Sequence, residues 1–318
     1  MRHIALWLVG LAATVGLTAN SPLVRSVSRA PSEQSGGSAI FVISRDMETE
    51  EHGDGGSSSS STDRDTLIER VLAERSDGLE LEYDLPWDTT EQDRARQWQF
   101  PVRIWRPFSG PPRLIDVATL EKRLKIWLDH AKLTQAACGH WYFTWSAFKI
   151  ECDPQSTLQT VAAFDLRLAG IRDGTLYQDA MASAPTALKT IDAGKTFVGE
   201  MQVDPDKVRR GQAETDVIVA QISKKPLTLE DALKARAKEK VSGTIAVTIY
   251  ADAAGEVQRK STITKLEITG ADGKPVHRTV SVLLTRRDLA GVSTGSKGVV
   301  YPSRAITSPI VSRQTRRS

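Results

Sequence analysis

The segment that most constrains the fold is residues 138–152, which is bounded by the only two cysteines of the chain, Cys138 and Cys152. The segment contains five aromatic side chains, and its residue types favour an extended backbone. Because Trp145 is equidistant from the two cysteines, a hairpin that turns near this residue brings the two sulfur atoms opposite each other. The sequence therefore predicts a hairpin or bent strand that is closed at its base by a Cys138–Cys152 disulfide.

Geometry requires this segment to fold back on itself. A straight strand of this length would separate the two cysteines by more than about 40 Å, whereas a disulfide needs Cα atoms about 4.4–6.8 Å apart. We expect the turn within residues 144–147, which contain no Gly or Pro, so a wider loop or bulge is favoured over a two-residue turn. The alternatives are two free buried thiols, a redox pair at unusual spacing, and a metal pair with His140 as the nearest further ligand.

The N-terminus has the layout of a secretory signal peptide. A short basic start precedes the apolar residues 4–17, and a small residue, Ala19, stands before Asn20. Residues 1–19 are therefore predicted to be a signal peptide, and the mature protein is predicted to be periplasmic or secreted. The alternative is an uncleaved anchor, which is disfavoured because a bilayer-spanning helix needs roughly 20 apolar residues. No transmembrane segment is expected after cleavage.

The composition is that of an ordinary globular protein, with 40% apolar and 25% charged residues. A formal net charge of +3 is small for 318 residues and gives no argument for nucleic acid as a partner. Residues 20–37 are polar and contain Pro and Gly, which predicts a flexible tether. Residues 289–318 are predicted to be a disordered basic tail.

The pattern between tether and tail predicts the α+β class, with mainly antiparallel sheet, about three helices, a C-terminal β-meander, and one or two lobes. In an aromatic-rich α+β region, residues 38–153, strands are predicted at 39–44, 79–85 and 97–104 from their alternating polarity. Residues 48–65 are predicted to be a flexible loop. Helices are predicted at 66–74, with Asp63 or Asp65 as N-cap, and at 117–130, with Asp116 as N-cap.

A mainly antiparallel β region is predicted for residues 154–288. Strands are expected at 162–168, 197–203 and 216–222. A capping box at Thr228 and Asp231 opens a helix that is expected to run to about residue 240. Strands at 244–250, 262–268 and 276–285 are joined by Gly-containing turns and form the meander.

The motifs of the common enzyme classes lack their context. Residues 291–295 match the nucleophile-elbow pattern around Ser293, but a polar tail follows and no histidine comes after His277. Histidine spacing indicates no zinc site, and the chain has no Gly-rich phosphate loop or dinucleotide-binding fingerprint. No catalytic, cofactor-binding or metal-binding residue is therefore predicted, and His140 is interpreted as a strand residue.

Two functions remain as hypotheses. The first is an exported, non-catalytic envelope protein that binds a small ligand or an envelope protein; the second is a periplasmic hydrolase that uses carboxylates, since carboxylate pairs leave no sequence motif. Trp141, Phe143 and Trp145 share one face of an extended segment and form a possible ligand platform. The competing interpretation is that these rings are packed in the core.

Overall fold

The computed structural model describes residues 39–54, 56–143, 147–168, 170–270 and 272–289. These residues form an α+β structure dominated by antiparallel sheet, so the predicted fold class is confirmed. The predicted signal peptide, the predicted tether and nearly all of the predicted basic tail lie outside the described residues.

Fourteen strands are found along the described chain, ten of them in one sheet. In chain order they are β1 (Ile40–Gly53), β2 (Ser58–Arg75), β3 (Gly78–Asp84), β4 (Val102–Pro107), β5 (Arg113–Leu114), β6 (Trp141–Phe143), β7 (Ala147–Lys149), β8 (Leu176–Tyr177), β9 (Thr186–Ala187), β10 (Lys189–Ile191), β11 (Thr196–Gln202), β12 (Lys240–Ala251), β13 (Val257–Thr269) and β14 (Pro275–Asp288).

The large sheet joins both halves of the chain. Its strand order is β10-β11-β12-β13-β14-β1-β2-β3-β4-β5, and every neighbouring pair is antiparallel. The first and last strands of the sequence, β1 and β14, pair in its centre from Phe41 opposite Asp288 to Gly53 opposite Val276. The predicted C-terminal meander is confirmed as β12–β14. Residues 38–153 and 154–288 thus contribute five strands each to a single sheet.

Five helices lie within the described residues: α1 (Glu91–Ala95), α2 (Val117–His130), α3 (Ser156–Ala162), α4 (Pro205–Ile222) and α5 (Leu229–Arg236). The predicted helix at 117–130 is confirmed, and the Asp116 carboxylate accepts the Thr119 N–H as its N-cap. The Thr228 cap of α5 is confirmed as well, although α5 ends at Arg236.

One face of the sheet forms the hydrophobic core. Leu67 lies opposite Ile43, and Ile104 lies opposite Leu81, so these four buried side chains point to this face. Alternate residues of β12 continue this face, and α2 adds Leu120, Leu124 and Leu128 to the same core. Further buried members of the core are Phe197, Met201, Ile245, Val247, Ile249, Leu266 and Leu284.

Two predictions for the first 75 residues were wrong. The predicted loop at 48–65 is mostly the β1–β2 hairpin, and the predicted helix at 66–74 belongs to β2. The polar part of β1 is stable as a strand because β14 and β2 both pair with it, and the polar part of β2 is stable because β1 pairs with it, while one face of the sheet is solvated. The helical pattern arose because Leu67 and Ile68 are buried on opposite faces, and because a bulge between Val71 and Ala73 shifts the register.

Two strand predictions in the second region were also wrong. Residues 216–222 are the last third of α4, which begins much earlier at the Asp204 cap with Pro205 in its first turn. Packing on α5 outweighs the strand preference of the β-branched residues near its end. In the predicted strand 162–168, Ala162 is the last residue of α3 and residues 163–168 are irregular chain, yet Phe164 and Leu166 are buried.

One strand prediction in the first region was too long. The strand predicted at 97–104 begins only at Val102, and Trp98 and Phe100, which precede it, are buried.

Candidate functional site

Residues 138–152, which we call the aromatic hairpin, have the predicted covalent closure. Cys138 and Cys152 form a disulfide with their Cα atoms 5.5 Å apart. Strands β6 and β7 pair so that Trp141 lies opposite Lys149 and Phe143 lies opposite Ala147. This register is symmetric about position 145, as expected from the positions of the cysteines. Residues 144–146, within which most of the turn was predicted, lie outside the described residues.

The base of the aromatic hairpin is fixed to the body of the protein. Both cysteines pack against the core, and Ile150 is buried. The Gly139 N–H donates to the Ile150 carbonyl at 2.8 Å, and Gly139 has a φ of +79°, a conformation that favours glycine. Helix α4 lies beside β6. These contacts at the base therefore fix the position of β6 and β7 relative to the rest of the protein.

The outer part of the aromatic hairpin exposes three aromatic rings. Tyr142, Phe143 and Phe148 have exposed fractions of 38%, 47% and 45%. Tyr142 lies opposite Phe148, and their rings stack with centroids 6.0 Å apart at an interplanar angle of 25°. Because Phe143 points to the other side of the ribbon, exposed aromatic surface is present on both faces.

The predicted platform of Trp141, Phe143 and Trp145 is only partly described. Phe143 is exposed, Trp141 is half-buried, and Trp145 lies outside the described residues. The Tyr142–Phe148 stack lies on the opposite face from the predicted platform. A cross-strand aromatic pair could have been found from the sequence once the register was fixed at position 145, because the register places Tyr142 opposite Phe148.

Sequence reasoning missed a buried charged cluster around Glu69 on the core face of the sheet. The Glu69 carboxylate accepts hydrogen bonds from Tyr83 Oη at 2.6 Å, from Arg167 Nη2 at 2.6 Å and from Arg286 Nη2 at 3.0 Å. Glu69 and Arg286 are buried, and Arg167 is mostly buried. Glu69 and Arg286 lie 217 positions apart in the sequence, which explains why no local pattern indicates the contact.

The charged cluster sets the protonation state of Glu69. Burial raises the pKa of the carboxyl, but the charge and hydrogen bonds of Arg167, the charge of Arg286 and the Tyr83 hydrogen bond outweigh it. The pKa of Glu69 is consequently lowered. The pKa of Tyr83 is raised by burial and by the Glu69 charge. A carboxylate that is ionised and bonded on both oxygens is unsuited to act as a general acid or base, so the cluster is structural in character.

The same cluster extends to the chain segment after α3. Arg106 Nη1 pairs with Asp165 at 2.6 Å, and Arg106 Nη2 donates to the Arg167 carbonyl at 2.7 Å. The Arg286 guanidinium carbon lies 3.6 Å from the centroid of the Phe41 ring. The contacts of Asp165 and Arg167 attach residues 163–168 to β1, β2 and β4, and the Arg286–Phe41 contact joins β14 to β1.

A second group of titratable residues lies farther along the core face. Burial and the charge of Asp179 raise the pKa of Tyr177 to about 12, while the Thr262 hydroxyl partly offsets this rise. Burial lowers the pKa of Lys260, although Asp165 and Asp179 act in the opposite direction. Lys260 lies opposite Leu284 and Ile249 in the ladder, so its aliphatic stem is surrounded by apolar side chains.

The arrangement that most resembles an acid–base site is a pair of carboxylates on β2, Asp63 and Asp65. Burial and the neighbouring Asp63 raise the pKa of Asp65, and Arg45, at 3.4 Å from Asp65, partly offsets the rise. Half of the Asp65 side chain is exposed. Among the described residues, His, Cys, Asp and Glu form no group that could hold a metal ion.

None of the helices in the described ranges is long and apolar enough to cross a membrane. The disulfide is compatible with an oxidising, extracellular type of compartment.

Comparisons with known proteins assign no family. No family profile matches the sequence, and no curated protein matches it. Among solved structures, the chain is similar to one described as "Lipid-protein interactions in lipovitellin", with a TM-score of 0.35 and 8% identity. That match covers 78% of this chain and 25% of the other. A TM-score this low supports no conclusion about fold family or function.

Proposed function

We propose that this protein is an exported, non-catalytic binding protein of the cell envelope that contacts a ligand or a protein partner through the aromatic hairpin. The single observation that carries the proposal is the exposure of Tyr142, Phe143 and Phe148 on a disulfide-closed ribbon. Large aromatic rings are usually buried, and where they are exposed on a rigid support they make contact surfaces with little entropic cost on binding.

The location in the periplasm or outside the cell is part of the proposal. It is supported by the signal-like residues 1–19 and by a disulfide, which persists in oxidising compartments. A mature protein that begins near Asn20 and is recovered from the periplasm or medium is the expected result. Recovery of the full-length chain in the cytosol, with two free thiols, would refute this part of the proposal.

The binding role is testable by photo-crosslinking. A photoreactive phenylalanine analogue placed at Phe148 in the exported protein is expected to give a discrete adduct in intact cells. Adding Tyr142→Ser and Phe143→Ser is expected to reduce that adduct at least tenfold. The matched control places the analogue at Ile263, which is exposed to the same extent as Tyr142 but lies on the sheet. Equal adducts at both positions would contradict the proposal.

The second candidate is a carboxylate-dependent hydrolase, and the specific observation in its favour is the Asp63–Asp65 pair with its raised Asp65 pKa. A carboxyl group with a raised pKa can act as a general acid beside a second carboxylate. The test is turnover of a panel of nitrophenyl glycosides and esters by the mature protein. This candidate requires that Asp65→Asn lower any observed turnover at least a hundredfold; unchanged turnover would exclude it.

A further inference from the structure

A cleft of about 500 Å³ lies between the first turns of α4 and the end of α5. Its volume falls within the range of about 300–1,000 Å³ that small-molecule sites occupy. The accessible surface of its lining is mainly apolar, although four of the six lining residues carry a charge. The lining residues are Asp206, Lys207, Arg209, Arg210, Leu233 and Ala237.

The walls of the cleft are held in place by side-chain contacts between elements. Arg236 of α5 forms two hydrogen bonds to the Asp216 carboxylate of α4, both at 2.7 Å. Arg209 of α4 donates through Nε and Nη2 to the Glu239 carbonyl, at 3.1 and 3.0 Å. Because these contacts fix α4 and α5 relative to each other, the cleft is formed before any ligand binds, which lowers the entropic cost of binding.

The three cations that line the cleft differ in how many donors they keep free. Arg209 uses its third nitrogen on Asp206 at 2.7 Å, and Lys207 donates to the Ala182 carbonyl at 2.9 Å. Arg210 is 63% exposed. Its Nε donates to Glu214 at 3.1 Å, and neither of its Nη nitrogens has a hydrogen-bond partner in the described part of the chain. Arg210 is therefore the cation of the cleft whose two Nη nitrogens are both available to a ligand.

We infer that this cleft is a binding site for a small amphipathic anion, such as a fatty-acid carboxylate or an aryl sulfonate. The apolar part of the ligand would cover Leu233 and Ala237, which removes apolar surface from water. The anionic group would bind the Nη nitrogens of Arg210, whose planar arrangement matches carboxylate and sulfonate oxygens. This site uses α4 and α5, and so differs from the surface proposed for the aromatic hairpin.

The probe for this site is anilinonaphthalene sulfonate, which is an apolar ring system with one anionic group. We expect saturable binding to the mature full-length chain at one site per protein, measured by fluorescence titration. Dodecanoate should displace the probe at least tenfold more effectively than dodecanol, because only the carboxylate can pair with Arg210. Absence of saturable binding, or equal competition by the acid and the alcohol, would overturn the inference.

Variants locate the site. Arg210→Glu is expected to weaken probe binding at least tenfold, and Ala237→Trp, which fills the cleft, should remove it. The matched control is Lys225→Glu, an exposed lysine that follows α4 and does not line the cleft; it should leave binding within twofold of the parent. Circular dichroism and the unfolding midpoint establish that each variant is folded. Binding that survives both cleft variants would refute the inference.

A variant of the aromatic hairpin separates this inference from the proposed function. Phe148→Ser should leave probe binding unchanged if the cleft is the site. Loss of binding in Phe148→Ser, with normal binding in Arg210→Glu, would place the probe on the aromatic hairpin and overturn the assignment to the cleft.

Discussion

At the scale of single residues, the most consequential charge in the described structure is the ionised carboxylate of Glu69, which is buried in the core. A buried carboxylate is stable only when it is paired and hydrogen-bonded, and Glu69 has Arg167, Arg286 and Tyr83 as partners. Removing its charge leaves two buried guanidinium groups without their shared counterion. The cost of such a change exceeds the net value of the pairs themselves.

Glu69→Gln is accordingly expected to lower the free energy of unfolding by about 3–5 kcal/mol. The matched control is Glu230→Gln, which removes an exposed ion pair with Lys234 on α5; its expected effect is about 0–1 kcal/mol. Urea unfolding followed by tryptophan fluorescence measures both. Equal effects of the two substitutions would show that the buried cluster contributes no more than a surface pair.

The pH dependence of stability provides an independent check on Glu69. Since the folded-state pKa of Glu69 is lowered, its contribution is fully present above the unfolded-state pKa, about 4.3. It is lost as the pH falls through the lower folded-state pKa. The stability difference between the parent and Glu69→Gln should therefore be constant near neutral pH and shrink below about pH 4. A difference that stays constant into the acid range would contradict the assignment.

At the scale of elements, the sequence predicted those whose signals are local. The Asp116 and Thr228 caps, the alternation in β3, the turns of the meander β12–β14 and the disulfide all follow from residues that lie close together in the sequence. Strand β2 could not be predicted this way, because its polar half is stabilised by pairing with β1, and because a bulge where its other half pairs with β3 disturbs its periodicity.

The candidate site could likewise be predicted only where its signals are local in the sequence. The position and closure of the aromatic hairpin follow from Cys138, Cys152 and the run of aromatic residues between them. The Tyr142–Phe148 stack needed the register as well. The charged cluster around Glu69 depends on contacts between residues far apart in the sequence, and the cleft beside Arg210 depends on how α4 packs against α5. Such contacts leave no pattern in a single sequence.

The disulfide is the element-scale feature with the clearest energetic consequence. Replacing both Cys138 and Cys152 with Ser removes a closed loop of about 15 residues, so we expect a loss of about 3 kcal/mol of unfolding free energy. Urea unfolding of the mature protein, with and without a reducing agent, measures the loss. The reducing agent should destabilise the parent and have no effect on the double variant. Two titratable thiols in the denatured, unreduced parent would disprove the disulfide.

At the scale of the whole molecule, the pairing of β1 with β14 links the two halves of the chain. Each of these strands has neighbours on both sides, so neither half can complete the centre of the sheet without the other. The core is likewise continuous, since Ile43 and Leu67 belong to the same buried group as Ile245 and Leu284. We therefore expect residues 39–289 to unfold as one cooperative unit.

Tryptophan provides a probe that reports on one half alone, because beyond Trp7 all tryptophans lie between Trp87 and Trp145. Ser281→Pro changes β14 at a position paired with both Glu48 and Ile263. Proline removes a ladder hydrogen bond in the sheet centre, with an expected cost of about 2–4 kcal/mol.

If the sheet is one cooperative unit, Ser281→Pro lowers the urea midpoint of tryptophan fluorescence and of circular dichroism by the same amount, although no tryptophan lies near β14 in sequence. Lys189→Pro on the edge strand β10 is the control, and a smaller shift is expected because an edge position loses fewer ladder contacts. A shift in circular dichroism with an unchanged fluorescence midpoint would show that the halves unfold as separate domains. Coincident shifts would follow directly from β1 and β14 sharing the centre of the sheet.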